Sequence, residues 1–325
     1  MFLRKDENMK KTIIVLGIAI TTLFSMKSVN ALTLNDNGDF INKKGATITA
    51  EQYEVLSDKF TDTTINILPQ AQINYLSNEQ NEINIERAYS ITTDVKDNLG
   101  NIISTITIPA TEEEALAVAN NKSLHVLSDG KLHDTSKEII SYGLRSEPIW
   151  QHTTTSKRIT LSYSESAYDP TNTNYLALVD VHWYSNPSTR SVDVLAIRWT
   201  TSKPLNNVVG YYATQSNSLH EQGYGLDGNN MKRTTYGIGE SMNLFDTGSQ
   251  FDMSMYVEFD QYVGEYVYAT YQHATTGVLL STSKSYSFGN GLGGVLVYNP
   301  SSYANYYDGM AGVKDTVATG CHIDC

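Results

Sequence analysis

From Trp150 onward, apolar and polar positions alternate with a period of two, the pattern of strands whose two faces meet different surroundings. Met253, Met255, Val257 and Phe259 alternate with Ser254, Tyr256, Glu258 and Asp260, which predicts a half-buried strand with one wet face. Comparable runs are Arg158–Ser164, Tyr175–Tyr184, Ser191–Thr200, Asn207–Ala213, Tyr262–Gln272, Gly277–Ser283 and Gly294–Tyr298. Strands separated by Gly, Asn, Ser and Pro turns imply an antiparallel β-sandwich or jelly-roll-like domain. No longer period suggests a solenoid or propeller.

Upstream of residue 149 the texture changes. Thr49 and Gln52 form a capping box ahead of Ala50–Lys59, where Tyr53 and Leu56 have helical spacing. Pro69 can open a second short helix through Leu76, since proline is tolerated at a first helical position. Alternation in Ile83–Val95, the turn Asp97-Asn98-Leu99-Gly100 and Asn101–Ile108 predict a β-hairpin. Thr111 and Glu114 form a second capping box ahead of Glu112–Asn120. The expected fold class is therefore mainly β, with a small α+β N-terminal module over 32–148 and the antiparallel sandwich over 149–313. A C-terminal tail covers 314–325.

Residues 1–31 read as an export signal. Lys10 and Lys11 precede the apolar run Thr12–Phe24, and Val29-Asn30-Ala31 supplies small residues for cleavage, so the mature chain is expected to begin near Leu32. The run has 13 residues against the ~20 that span a bilayer, which makes an uncleaved anchor the weaker alternative. No cysteine follows it to carry a lipid, and Met9 is an alternative start. No second apolar stretch approaches membrane length, so no stable span is expected in the mature chain and the protein is expected to be secreted and extracellular.

Charge narrows the partners. The chain carries 23 Lys+Arg and 35 Asp+Glu, a net −12. Without residues 1–31 the balance is 18 against 33, or −15. Such an acidic protein does not hold a phosphate backbone by charge, so no nucleic-acid partner is expected, and anionic lipid is disfavoured for the same reason. Cys321 and Cys325, in the terminal GCHIDC, are disulfide candidates in an oxidising setting, or two free thiols. Cys321, His322 and Cys325 lack a fourth ligand and zinc spacing, so no metal is expected, and no other cofactor either.

Four segments occur in order: Gly45-Ala-Thr-Ile-Thr-Ala-Glu-Gln-Tyr-Glu-Val-Leu56, Arg190-Ser-Val-Asp-Val-Leu-Ala-Ile-Arg-Trp199, Tyr271-Gln-His-Ala274 and Tyr306-Tyr-Asp-Gly-Met-Ala-Gly-Val313. Together they resemble a group of uncharacterised secreted proteins of gut Firmicutes, over about residues 40–313. No established activity, cofactor or partner comes with that resemblance. It therefore supplies no catalytic residues, and the Cys-containing tail lies outside it.

Candidate chemistry is sparse. Phe245-Asp246-Thr247-Gly248-Ser249 looks like an aspartic-protease signature, but such enzymes need two carboxylates sharing a proton and no second copy is present. Asp246 is better read as part of a turn before the Met253–Phe259 strand. Asp180 and His182 share one face of a strand, which allows half a metal site or an acid-oriented histidine, with a cross-strand hydrogen bond as the simpler reading. His273 is expected to bond a neighbouring loop. Asp36-Asn37-Gly38-Asp39 does not follow calcium-loop positions and reads as a turn. No nucleophile-elbow, zincin or phosphate-loop motif is present, and no catalytic residue is assigned.

Tyrosine is the more informative residue. Of 22, 18 lie after residue 150. Tyr303, Tyr306 and Tyr307 cluster beside Asp308, an arrangement suited to sugar stacking if a ring is exposed and the carboxylate free to accept. The alternative is that the rings lock the modules together. The expected function is a non-catalytic binding or cell-surface interaction protein for an extracellular glycan or protein. A secreted hydrolase with glycosidase-like carboxylate chemistry is the first alternative. A pore-forming protein using Thr153–Ser164 as a membrane hairpin is the second.

Overall fold

The computed structural model describes residues 32–81, 83–136, 151–169, 172–202, 207–264, 266–289, 296–308 and 313–316. Residues 1–31, which the sequence reads as an export signal, and Cys321 and Cys325 lie outside the described residues. The protein is mainly β, a small α+β module followed by antiparallel sheets.

The N-terminal part opens with a three-stranded meander, β1 (Thr33–Leu34), β2 (Phe40–Ile41) and β3 (Thr47–Ile48). Three helices follow: α1 (Ala50–Lys59), α2 (Asp62–Ile65) and α3 (Gln70–Leu76). The capping box forms as its spacing predicts, with the Gln52 amide donating to Thr49 Oγ1 and the Thr49 amide donating to Gln52 Oε1. Pro69 is the residue before α3 rather than its first. The hairpin β4 (Ile85–Lys96) and β5 (Ile102–Ala110) turns through Gly100 at φ 85°, a left-handed conformation that glycine adopts without steric cost. Helix α4 (Glu112–Asn120), under its own Thr111/Glu114 box, and the ribbon β6 (Leu124–Val126) and β7 (Leu132–Asp134) complete this part.

The strands after residue 150 are β8 (Gln151–Asp169), β9 (Asn172–Trp183), β10 (Val192–Trp199), β11 (Val208–Ser216), β12 (Glu221–Tyr224), β13 (Met231–Thr234), β14 (Gly237–Asn243), β15 (Asp252–Phe259) and β16 (Tyr266–Gln272). Helix α5 (Leu280–Ser283), β17 (Tyr286–Phe288), β18 (Leu296–Tyr298), a 3₁₀ helix (Ser301–Tyr306) and β19 (Val313–Thr316) end the described chain. Two sheets face each other, ordered β12-β11-β15-β9-β8-β4-β5 and β13-β14-β10-β16-β19. Between them lies the main core, with Ile159, Leu161, Val179, Val181 and Trp183 from the larger sheet against Leu195, Ile197, Trp199, Val267 and Tyr271 from the smaller.

Three details differ from the pattern reading. The 85–110 hairpin does not stay within the N-terminal module: β4 pairs with β8 along its whole length, so the larger sheet runs across the 148/149 boundary. The second face of β15 is not wet. Ser254 is fully buried and Tyr256 nearly so, because α1–α3 pack over this face and take Leu176, Leu178 and Tyr256 into their own apolar cluster. Alternation reports that two faces differ, and a polar-lined cover looks the same as water. Finally, the Gly277–Ser283 run yields α5 rather than a strand. Leu279 is exposed and Ser283 is drawn under the surface by a 2.8 Å hydrogen bond to Ser241 Oγ, a contact that hydropathy does not register.

The outer faces of both sheets are thus covered. Helix α4 with β6–β7 covers the β4 end of the larger sheet around Ile91, Val118 and Val126. On the smaller sheet, Val194 and Ala196 are covered by Val278, Tyr286, Leu296, Tyr298 and Tyr307.

Candidate functional site

The two covers on the larger sheet leave a strip between them. Alternation along β8 and β9 turns His152, Thr154, Ser156, Arg158, Asp180 and His182 toward that outer side, and Tyr184 follows at the end of β9. One cleft of about 410 Å³ lies toward α1 and α2, lined by Ser57, Thr61, Arg158, His182, Ser218 and Asp252 among others. A second, of about 560 Å³, lies toward α4, lined by Lys122, His152, Thr154, Ser185 and Asn186 among others. Tyr184 and Gln250 line both, so the two clefts adjoin at these residues.

Asp180 and His182 do share a face, but each has a partner on another element. Asp180 is fully buried and its Oδ2 accepts the Thr61 amide at 3.2 Å, the Thr64 hydroxyl at 2.8 Å and the Thr61 hydroxyl. Its Oδ1 accepts from Arg158 at 3.1 Å. That carboxylate therefore anchors the start of α2 to the sheet, with four protein donors on its two oxygens. Burial pulls the Arg158 guanidinium down, but Asp180 and Tyr184 outweigh it and leave the group raised.

His182 instead meets Asp252 on the neighbouring strand, Nδ1 to Oδ1 at 2.6 Å, in the register that places the two residues opposite each other. Both reach the cleft, with side chains 29% and 17% exposed. Burial pushes the Asp252 carboxyl up, the His182 contact pulls it back, and Asp180 and Asp62 add to the rise. The His182 ring also stands edge-on to Tyr184, with centroids 4.8 Å apart. In the second cleft His152 lies 5.1 Å from His125, whose imidazole is pushed down by burial and by His152.

The other sequence candidates fall elsewhere. Asp246 is exposed in a bend, where its backbone carbonyl and that of Gly248 accept from Arg190. His273 bonds Asp193 of β10, Nδ1 to Oδ2 at 3.0 Å, rather than a loop. Tyr303 and Tyr306 stack with centroids 5.6 Å apart at the surface, and Tyr306 is 37% exposed. Tyr307 is buried and stacks on Tyr298 at 4.9 Å. Asp308, expected as a free acceptor beside an exposed ring, is buried and paired with Lys157, because its backbone bonds His273 and turns the carboxylate inward. Replacing Tyr307 by alanine is expected to cost about 1.5–3 kcal/mol of stability in denaturant titrations, and Tyr306→Ala within about 0.5 kcal/mol of none.

No group of three or more His, Cys, Asp or Glu able to hold a metal occurs among the described residues. No helix among them is long and apolar enough to cross a membrane.

No protein-family profile matches the chain, and no curated protein does. A solved structure of a serine-rich repeat adhesion glycoprotein from Streptococcus agalactiae is similar at 12% identity, over 58% of this chain and 79% of that one. The TM-score of that match is 0.21, well below that of a shared fold.

The groove itself was not legible in the sequence. Its walls come from segments near residues 57–63, 152–158, 182–186 and 249–252, and only the alternation of β8 and β9 hinted at a polar outer face.

Proposed function

We propose that the protein is an extracellular binding module that holds an extended, polyhydroxylated chain, an oligosaccharide, in the groove between its two covers. The observation that carries this reading is the adjacency of the two clefts, which share Tyr184 and Gln250 in their linings. Two adjoining clefts with an aromatic residue common to both suit a ligand of several similar units, one stacked on the ring and its neighbours bonded on either side. The walls supply what sugar hydroxyls need: the hydroxyls of Ser57, Ser218 and Thr154, the imidazoles of His152 and His182, and the Asp252 carboxylate. The export signal and the net negative charge fit a neutral extracellular ligand better than an anionic one.

The test is an oligosaccharide array with the mature protein, followed by titration of the best hit against Tyr184→Ala. Loss of the ring is expected to weaken binding by about 1–3 kcal/mol, or roughly 5–150-fold, without lowering the melting temperature. Absence of any saccharide ligand, or equal affinity of the variant, overturns the reading.

One observation favours a hydrolase as the second reading. Asp252 faces the groove with its carboxyl held above the ordinary range and a histidine at 2.6 Å, the environment of a general acid. Product analysis of the bound saccharide after long incubation separates the two, since cleavage that disappears in Asp252→Asn would make the groove catalytic. The pore reading has a structural obstacle. Thr153–Ser164 lies inside β8, which is paired with β4 on one side and β9 on the other, so a membrane hairpin would have to break two ladders at once.

A further inference from the structure

We propose that Lys157 and Asp308 condense to an amide, an intramolecular cross-link between β8 and the segment that follows the 3₁₀ helix. Lys157 points into the space between the two sheets and is the only lysine of the core among the described residues. Its side chain is 1% exposed and that of Asp308 fully buried, with Nζ against Oδ2. The Nζ atom lies 4.6 Å above the Trp183 ring and 5.9 Å from the Tyr271 ring. Among the described residues Asp308 Oδ2 is its one hydrogen-bond acceptor. An ammonium has three protons to place, and among the described residues one alone finds an acceptor, a poor arrangement for a permanent ion pair at a buried, aromatic site. An amide needs one donor and one acceptor satisfied, and carries no charge.

The carboxylate is held as the reaction requires. Its Oδ1 accepts the His273 amide at 3.0 Å, while the Asp308 amide donates to the His273 carbonyl at 2.8 Å. The two residues thus clamp each other through backbone on both sides. His273 is itself fixed by its ring on Asp193, whose Oδ1 also accepts the Ala274 amide at 2.8 Å. Oδ2 carries Lys157 and, at 3.5 Å, the Thr92 hydroxyl.

The step balances without a co-reactant. A proton passes from the ammonium to the Oδ2 carboxylate oxygen, leaving a neutral amine and carboxylic acid. The Nζ lone pair attacks Cγ and forms the N–C bond, and the charge that develops on Oδ1 is met by the His273 N–H. A second proton moves from Nζ to Oδ2, by way of the Thr92 hydroxyl, and the C–Oδ2 bond breaks to release water. The product keeps its carbonyl oxygen on the His273 amide and turns its single N–H toward the aromatic rings.

The residues joined lie 151 positions apart. The amide would give an exported protein the constraint that a disulfide commonly provides.

Intact mass spectrometry of the folded, mature wild-type protein tests this directly. The mass is expected to be lower than the sequence mass by one water. Trypsin should fail to cut after Lys157, and the digest should contain a branched peptide joining Lys157 to Asp308. Lys157→Arg should restore the full mass. Unmodified linear peptides covering both positions overturn the proposal. So does a water loss confined to a linear peptide containing Asp308-Gly309, which would instead mark cyclisation of that aspartate onto the next amide. Because the decisive measurement is on wild-type protein, a variant that folds poorly does not weaken it.

Discussion

Asp180→Ala is expected to lower the stability of the protein by about 3–5 kcal/mol, the cost of leaving a half-buried guanidinium without its counter-charge and a helix start without its acceptor. Asp180 gathers the Thr61 amide and hydroxyl, the Thr64 hydroxyl and Arg158 on one carboxylate, so its removal strands four donors at once. Urea titration followed by circular dichroism measures the loss. The additional change Arg158→Met should recover part of it, since an apolar side chain in that position no longer needs a partner. A loss below about 1 kcal/mol would mean that water reaches the site and the carboxylate does not anchor α2.

The second large effect is a pH dependence centred on Glu240. This carboxyl lies in the interior between the sheets, fully buried, with Tyr211 donating to Oε2 at 2.6 Å and Oε1 without a partner among the described residues. Burial pushes it up from 4.5 to about 7, although the Tyr211 hydroxyl and Lys284 pull it back. Between those values the unfolded chain loses its proton while the folded protein keeps it. Stability contributed by this group is therefore present below 4.5 and is lost as the pH rises through about 7. At 1.36 kcal/mol for each pH unit of difference, the loss amounts to about 3 kcal/mol. Glu240→Gln should flatten that part of the stability curve, so that the variant gains on the wild type as pH rises and the gain stops above neutrality. Parallel curves for the two proteins would show that Glu240 ionises in the fold as freely as in the open chain.

What could be read from the sequence was local. The boxes at Thr49/Gln52 and Thr111/Glu114 close within four residues, and both helices begin where those spacings put them. The alternation of Met253–Phe259 correctly marked which side of β15 faces the main core. It could not say what lies on the other side, because Ser254 and Glu258 are as polar under a helical cover as they would be in water. Asp180 and His182 were visible as a pair on one strand face, but their real partners, Thr61 and Asp252, lie 119 and 70 residues away respectively. Lys157 looks like a solvated cation beside Arg158. Alternation puts the two neighbours on opposite faces, but only the closing of one sheet over the other shows that one faces a cleft and the other the core.

The placement of α1–α3 also sets an order of events during folding. This cover is made by residues 50–76, which are synthesised first, yet the surface it rests on is built by β9 and β15, about a hundred residues or more later. Until those strands pair, Leu56, Ile65, Ile73 and Leu76 have no apolar surface to bury against except one another and N-terminal neighbours such as Phe40, Ile48, Phe60 and Leu68. The protein is thereby committed to a topology rich in distant contacts, which slows the search for the native state and lengthens the time in which these residues are open to wrong partners. Docking of the cover is the event that ends that exposure, and the Thr61–Asp180 contact can form only once it has happened.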